Sequence, residues 1–299
     1  FLMIRRPPRS RPKPSSAASD VYKRQLEDVP GTGKTLMAIA AGMEQSLGMG
    51  SVMDIIGPKY KKIVVSRPVQ PLGKDIGFLP GSMNEKMMPW LMPIQDNMQF
   101  ILGNDRAMLR TYLEKGEIEI EALERFDFSK ANITFFSAGG KISEKYVPLA
   151  AKHSVVIDNS SHFRMDPDVP LIVPQVNSNQ LKNLKKNIIA NPNCSTAQLV
   201  IILKPLHDLF KIKKIIVSTY QSTSGAGKPA MDELFHQTLD VYKNKPLEPK
   251  VFSKRIAFNI IPHLDSFLEG GHTKEEKKMY EETQKILKSK IDIFATCVR

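Results

Sequence analysis

The residues best placed to do chemistry surround one cysteine. An apolar run, Ile188-Ile189-Ala190, ends in Asn191-Pro192-Asn193. Cys194 follows and leads into Ser195-Thr196 and the apolar pattern Leu199, Val200, Ile201, Ile202, Leu203. This order predicts strand, tight turn and helix, with Cys194 at the helix N-terminus. There, free backbone N–H groups and the positive end of the helix dipole favour a thiolate. A thiolate is the form that attacks a carbonyl carbon. The other fate of a lone thiol is burial as a small structural side chain. Turn chemistry leaves both readings open.

The elements that must position this turn are read from the periodicity around it. Residues 132–136 form an expected strand. Ser137-Ala138-Gly139-Gly140 is a small-residue turn that opens a helix over 143–152, and residues 154–157 form a strand ending in Asp158-Asn159-Ser160-Ser161. This βαβ rhythm predicts a doubly wound sheet, whose strand ends form the ligand crevice. Residues 137–140, 158–164 and 191–194 are therefore expected on one rim. Beyond Lys211 come a β-rich run (212–220), a polar loop (221–227) and a helix (228–242). A strand (258–263), a charged helix (273–288) and a last strand (291–298) complete an expected second, mixed α+β domain.

A second chemistry is suggested near the start. Gly31-Thr32-Gly33-Lys34-Thr35 is the latter half of a phosphate loop. Its backbone N–H groups would cradle phosphates, Lys34 would reach the β/γ-phosphates and Thr35 would hold Mg²⁺. The full pattern has a glycine five residues before Gly33, where Asp28 stands, and no apolar run ending in Asp follows before residue 126. The alternative is a Gly-rich turn with a solvated lysine. A helix over 36–47, a strand over 62–66 and a Pro/Gly-rich loop over 67–81 are expected next. After them come a helix over 87–102 interrupted at Pro89 and Pro93, a helix over 106–114 and a strand over 117–120.

Composition bounds these readings. A chain of 299 residues, 41% of them hydrophobic, can hold two domains with real cores. No apolar run approaches the roughly 20 residues of a membrane span. Two cysteines give no disulfide framework, so a cytoplasmic setting is expected. Half of the net charge of +12 lies in residues 1–25, so a general nucleic-acid-binding surface is not expected. That Arg-, Pro- and Ser-rich segment has no hydrophobic period and is expected to be disordered. A basic arm or a transit peptide would fit it, but it reads best as translated sequencing adapter and is set aside from the fold.

Residues 30–123 resemble the PhoH-like family of P-loop ATPases. The resemblance runs through Gly31–Thr35, Val65-Ser66-Arg67-Pro68, Pro71–Gly81, Pro89-Trp90, Asp96-Asn97 and Ile118–Leu123. It implies an ATP- and Mg-binding domain associated with RNA metabolism, with Gly31, Gly33, Lys34 and Thr35 at the nucleotide.

Residues 126–299 resemble the aspartate-semialdehyde dehydrogenases. The carrying stretches are Phe136–Gly140, Val156–Leu171, Asn191–Thr196, Ser218–Gly227, Asn259–His263, Thr273–Glu276 and Thr296–Arg299. The resemblance implies NADP-dependent reductive dephosphorylation of L-4-aspartyl phosphate through a cysteine thioester. It assigns Cys194 as the nucleophile, with Asn193 beside it, and Gln221, 27 residues on, as the group that orients the acyl carbon. It also implies Arg164 at the phosphate, Arg299 at the substrate carboxylate, and Glu275 and Lys278 as a charged pair at the substrate. Ser137, Gly139, Ser224 and Gly225 are placed at the cofactor. The second domain implies a homodimer, and no metal ligand set is expected.

Both resemblances are expected to be partial. The family's general-base histidine would lie beyond Arg299, and no Gly-x-Gly-x-x-Gly occurs in the chain. The expected fold class is α/β: an incomplete P-loop fragment (26–125) joined to a partial Rossmann-like NADP-binding domain (126–198). A truncated dimerisation and substrate domain (199–299) follows. Such a chimeric join near Leu123–Phe126 is expected to lack measurable turnover. Two readings compete with it: a PhoH-like ATP-binding protein of RNA metabolism, and a non-catalytic fusion.

Overall fold

The computed structural model describes residues 33–47, 60–67 and 94–299. The chain divides into two compact units between Phe126 and Asp127.

In the first unit, helix α1 (Gly33–Leu47) precedes strand β1 (Ile63–Arg67), and helix α2 (Arg106–Glu114) precedes strand β2 (Ile118–Ala122). Residues 94–101 are also helical. The stretch expected as helix over 87–93, the 68–81 loop and Gly31 lie outside the described residues. Strands β1 and β2 pair in parallel, Ile63 with Ile118 through Arg67 with Ala122. Met43, Met98, Leu102, Leu109 and Ile118 make the core beneath them. Asp105 caps α2 by accepting the Met108 N–H at 3.0 Å, and Gly116, with φ +69°, makes the turn into β2.

In the second unit, β3 (Ile133–Phe136), β4 (Val155–Asp158) and β5 (Ile188–Ala190) form a parallel sheet in that order. Helix α3 (Gly140–Ala150) makes the β3–β4 crossover. The register sets Phe136 beside Asp158 and Asp158 beside Ala190. The loops after all three strands therefore leave from one edge, as a doubly wound sheet requires.

A short helix α4 (Pro174–Asn177) precedes β5, and helix α5 (Cys194–Phe210) follows it. Helix α5 runs through residues 198 and 199, where the NADP-binding and dimerisation parts are expected to meet. Strand β6 (Lys214–Tyr220), helices α6 (Lys228–Tyr242) and α7 (Lys274–Leu287), and strand β7 (Asp292–Val298) complete the unit. Strands β6 and β7 pair in parallel from Lys214–Asp292 to Tyr220–Val298.

The strand expected over 258–263 does not form. Phe258 takes a left-handed φ of +55°, and Pro262 has no N–H to donate. One reciprocal pair of bonds survives: the Ile261 N–H donates to the Arg299 carbonyl at 2.6 Å, and the Arg299 N–H to the Ile261 carbonyl at 3.0 Å. That pair anchors the Arg299 backbone. Among the described residues no helix is long and apolar enough to cross a membrane.

Candidate active site

Cys194 is the first residue of α5 and is exposed, which answers the alternative of a buried structural thiol. Asn193 is the helix cap. Its Oδ1 accepts the N–H of Ser195 at 2.9 Å and of Thr196 at 3.4 Å. The cap satisfies N–H groups of the first turn and sets the thiol at the positive end of the helix.

Asn193 is itself held by two carboxylates of α7. Its Nδ2 donates to Glu275 Oε1 at 2.9 Å, and its backbone N–H donates to Glu282 Oε2 at 2.7 Å. Gln221 closes the other side. Its Nε2 donates to Ser195 Oγ at 2.9 Å and to Glu275 Oε1 at 3.3 Å. Glu275, only 8% exposed, thus binds Asn193 and Gln221 together, and its Oε2 accepts Lys278 Nζ at 3.2 Å. Lys278 also pairs with Asp265 at 3.1 Å. Burial pulls the Lys278 ammonium down, but the two carboxylates outweigh it and hold its pKa above the ordinary value.

Arg299 reaches the same place from β7. Burial lowers its pKa, while the negative charges of Glu275 and Cys194 act in the opposite direction. Among the described residues its buried Nε has no hydrogen-bond partner, and its guanidinium lies 5.9 Å from the centre of the Phe252 ring. An unpaired N–H of an always-charged fork beside an exposed thiol suits a carboxylate ligand.

Arg164 is 9% exposed and held from three sides. Its Nε donates to the Asn191 carbonyl at 2.9 Å, its Nη1 to Glu282 Oε1 at 3.0 Å, and its Nη2 to the Asn159 carbonyl at 3.1 Å. One N–H on each terminal nitrogen remains outside these three bonds.

On the sheet's rim, Asn159 links the loops: its Nδ2 donates to Ser137 Oγ at 3.2 Å and its Oδ1 accepts Asn191 Nδ2 at 2.7 Å. Gly139, with φ +92°, leads into α3, whose N-terminus has no side-chain cap. Among the described residues, and apart from its own chain neighbours, no heavy atom lies within 4 Å of where a Cβ on Gly139 would stand. Such an open, uncapped helix start fits a polar group of a dinucleotide cofactor. Ser224 and Gly225 lie in a short 3₁₀ turn, Thr223–Ala226, with Gly225 against Arg299. Of the phosphate-loop residues, Gly33, Lys34 and Thr35 open α1, and Gly31 lies outside the described residues.

The structure therefore gathers Cys194, Asn193, Gln221, Glu275, Lys278 and Arg299, with Arg164 behind them. Three members were missed from sequence: Ser195, which receives Gln221; Asp265, which receives Lys278; and Glu282. The signal for Glu282 was its spacing of seven from Glu275, which puts both on one face of a helix.

Comparison with known proteins bears on both units. A family profile described as "Semialdehyde dehydrogenase, dimerisation domain" matches residues 203–299, and "Semialdehyde dehydrogenase, NAD binding domain" matches 102–184. "PhoH-like protein" matches 27–126, so the last two overlap over 102–126. The aspartate-semialdehyde dehydrogenase of Shewanella sp. (strain DB6705) is 53% identical over 190 residues, covering 62% of this chain and 56% of that enzyme. Aspartate-semialdehyde dehydrogenase 2 of Vibrio cholerae is 46% identical over 227 residues, covering 73% of this chain and 67% of that enzyme. The crystal structure of aspartate semialdehyde dehydrogenase II from Vibrio cholerae superposes with TM-score 0.59 at 50% identity, covering 61% of this chain and 55% of that one. The chain thus spans about half to two thirds of the length of these relatives.

Proposed function

The chain belongs to the aspartate-semialdehyde dehydrogenase family, and from that premise we propose that residues 127–299 carry its acyl-transfer chemistry. The substrate is L-4-aspartyl phosphate or, in reverse, the semialdehyde with phosphate. The observation that carries this is the grip of Glu275 on both Asn193 and Gln221 beside an exposed Cys194.

In the forward direction the Cys194 thiolate attacks the acyl carbon, the C–S bond forms, and the C–O bond to phosphate breaks. Inorganic phosphate leaves and a thioester remains on Cys194. Asn193 Nδ2 spends one N–H on Glu275 and presents the other to the acyl oxygen, while Gln221 orients the acyl group; a fixed donor of that kind stabilises developing charge without reorganisation. Arg299 holds the substrate's α-carboxylate, Glu275 its ammonium, and Lys278 lies beside them. The two N–H bonds that Arg164 does not spend internally would bind the phosphate. Ser137, Gly139, Ser224 and Gly225 would hold a nicotinamide dinucleotide, NADP in this reading. That cofactor, when bound, supplies the hydride that takes the thioester to the aldehyde.

Two parts of the reading stand apart from this chemistry. The match of residues 203–299 to a dimerisation domain supports a homodimer. The match of residues 27–126 to PhoH-like proteins supports binding of ATP, with Mg²⁺, through Gly31, Gly33, Lys34 and Thr35.

The acyl-transfer reading is tested by intact-mass and peptide-mapping measurements on the full chain exposed to L-4-aspartyl phosphate without cofactor. A covalent aspartyl adduct on Cys194, removed by hydroxylamine and absent from Cys194→Ala, is expected. No adduct, or an adduct elsewhere, overturns it.

A further inference from the structure

A buried carboxylate stands behind the Asn193–Cys194 turn. Glu282 is 2% exposed. It accepts the Asn193 backbone N–H at 2.7 Å with one oxygen and Arg164 Nη1 at 3.0 Å with the other. One turn on, Lys285 Nζ donates to three carbonyls of the Arg164 loop: Arg164 at 2.6 Å, Asp166 at 2.7 Å and Val169 at 2.8 Å. Glu275, Lys278, Glu282 and Lys285 repeat at three, four and three residues, the spacing of a single helical face. One face of α7 therefore meets the substrate side of the site at one end and grips its backing at the other.

Burying an ionised carboxylate is costly unless it is paired and hydrogen-bonded, and an apolar residue of similar size often serves stability as well or better. What an apolar residue cannot do is accept an N–H and a guanidinium at fixed separation. The Asn193 N–H is the last one before the helix begins, so its tether fixes the backbone whose side chain caps Ser195 and Thr196. The pairing with Arg164 also neutralises a negative charge that would otherwise oppose the thiolate.

We propose that Glu282 is a positioning residue for the acyl-transfer site, tying the Asn193–Cys194 turn and Arg164 to α7 at a set distance. The proposal rests on reading Cys194 as the nucleophile. It acts on the thiolate through the cap: when the turn loosens, the thiolate loses aligned N–H groups of the helix start.

The test is the pH profile of Cys194 alkylation by iodoacetamide in the full chain, with Cys194→Ser subtracted as background. Glu282→Asp keeps the charge and shortens the reach, leaving Glu275 and Arg299 in place. The alkylation midpoint is expected to rise by about half a pH unit, slowing the reaction at pH 7 about threefold, with the high-pH plateau unchanged. A folded Glu282→Asp chain with an unmoved midpoint overturns the proposal. Should that variant fail to fold, hydrogen exchange in the unmodified chain decides. Strong protection of the Asn193 amide supports the tether, and exchange at the rate of an exposed turn removes it. Neither readout uses aspartyl phosphate, so this idea and the acyl-transfer reading can fail separately.

Discussion

Gly225 and Arg299 lie so close that a Cβ on the glycine would stand 3.0 Å from the Arg299 Nη2. That is tighter than ordinary van der Waals contact, and the guanidinium is the part free to give way. Gly225→Ala is therefore expected to push Arg299 off its position and weaken the hold on a carboxylate ligand by up to about tenfold, part of what a charge-assisted hydrogen bond contributes. Calorimetric titration of L-aspartate 4-semialdehyde into the Cys194→Ser background reads it. An unchanged affinity would show that Arg299 holds no ligand from that position.

The Asn191–Cys194 turn was legible in the sequence because each of its signals is local. A strand, Asn-Pro-Asn and an apolar 3.6-residue pattern fix a helix start at Cys194 whatever lies elsewhere. The common rim of the three loops was legible too, since parallel strands share an edge. Residues 258–263 misled because their apolar run has strand composition, while a left-handed Phe258 and Pro262 leave only the Ile261–Arg299 pair of bonds. The spacing of Glu282 from Glu275 gives its helix face but not its partners: Asn193 and Arg164 are 89 and 118 residues away. Contacts at that range depend on tertiary packing rather than on any local pattern.

The helix that carries Glu275, Lys278 and Glu282 begins with a complete capping box. Thr273, 1% exposed, accepts the Glu276 N–H at 3.3 Å, and Glu276 Oε2 accepts the Thr273 N–H at 2.8 Å. Thr273→Ala removes one half of that exchange and is expected to cost about 1 kcal/mol, read as a lower urea midpoint. Thr273→Ser should recover most of it. Equal losses in both would mean that the methyl group, not the hydroxyl, carries the effect.

Asp166 ties the Arg164 loop to Lys186 at 2.8 Å and also accepts the Asp168 N–H at 2.9 Å. The Lys186 bond, working against desolvation, holds the Asp166 carboxyl below its ordinary pKa of 3.8. A depressed carboxylate contributes stability that is fully present above the unfolded value and is lost as pH falls through the folded one. Below about pH 4, Asp166→Asn should therefore flatten part of the fall in melting temperature seen in the unmodified chain. The pair is part-exposed, so the difference should not exceed about 1 kcal/mol. Parallel acid limbs in the two proteins would exclude Asp166 as a contributor.

The two thiols should separate cleanly by reagent access. Cys194 is exposed at the start of α5, whereas Cys297 is fully buried in β7, with its Sγ 3.6 Å from the Met279 sulfur. Burial raises the Cys297 pKa, outweighing the hydrogen bond from Thr219, so its thiol stays protonated where an ordinary one begins to ionise. At pH 8, iodoacetamide should add one label to the native chain, mapping to Cys194, and a second only in denaturant. Because the raised pKa favours the thiol, increasing pH toward 9 should speed Cys194 while Cys297 stays unlabelled. Native labelling of Cys297 at a comparable rate would mean that β7 opens readily and that Arg299, two residues further on, is not held at the site.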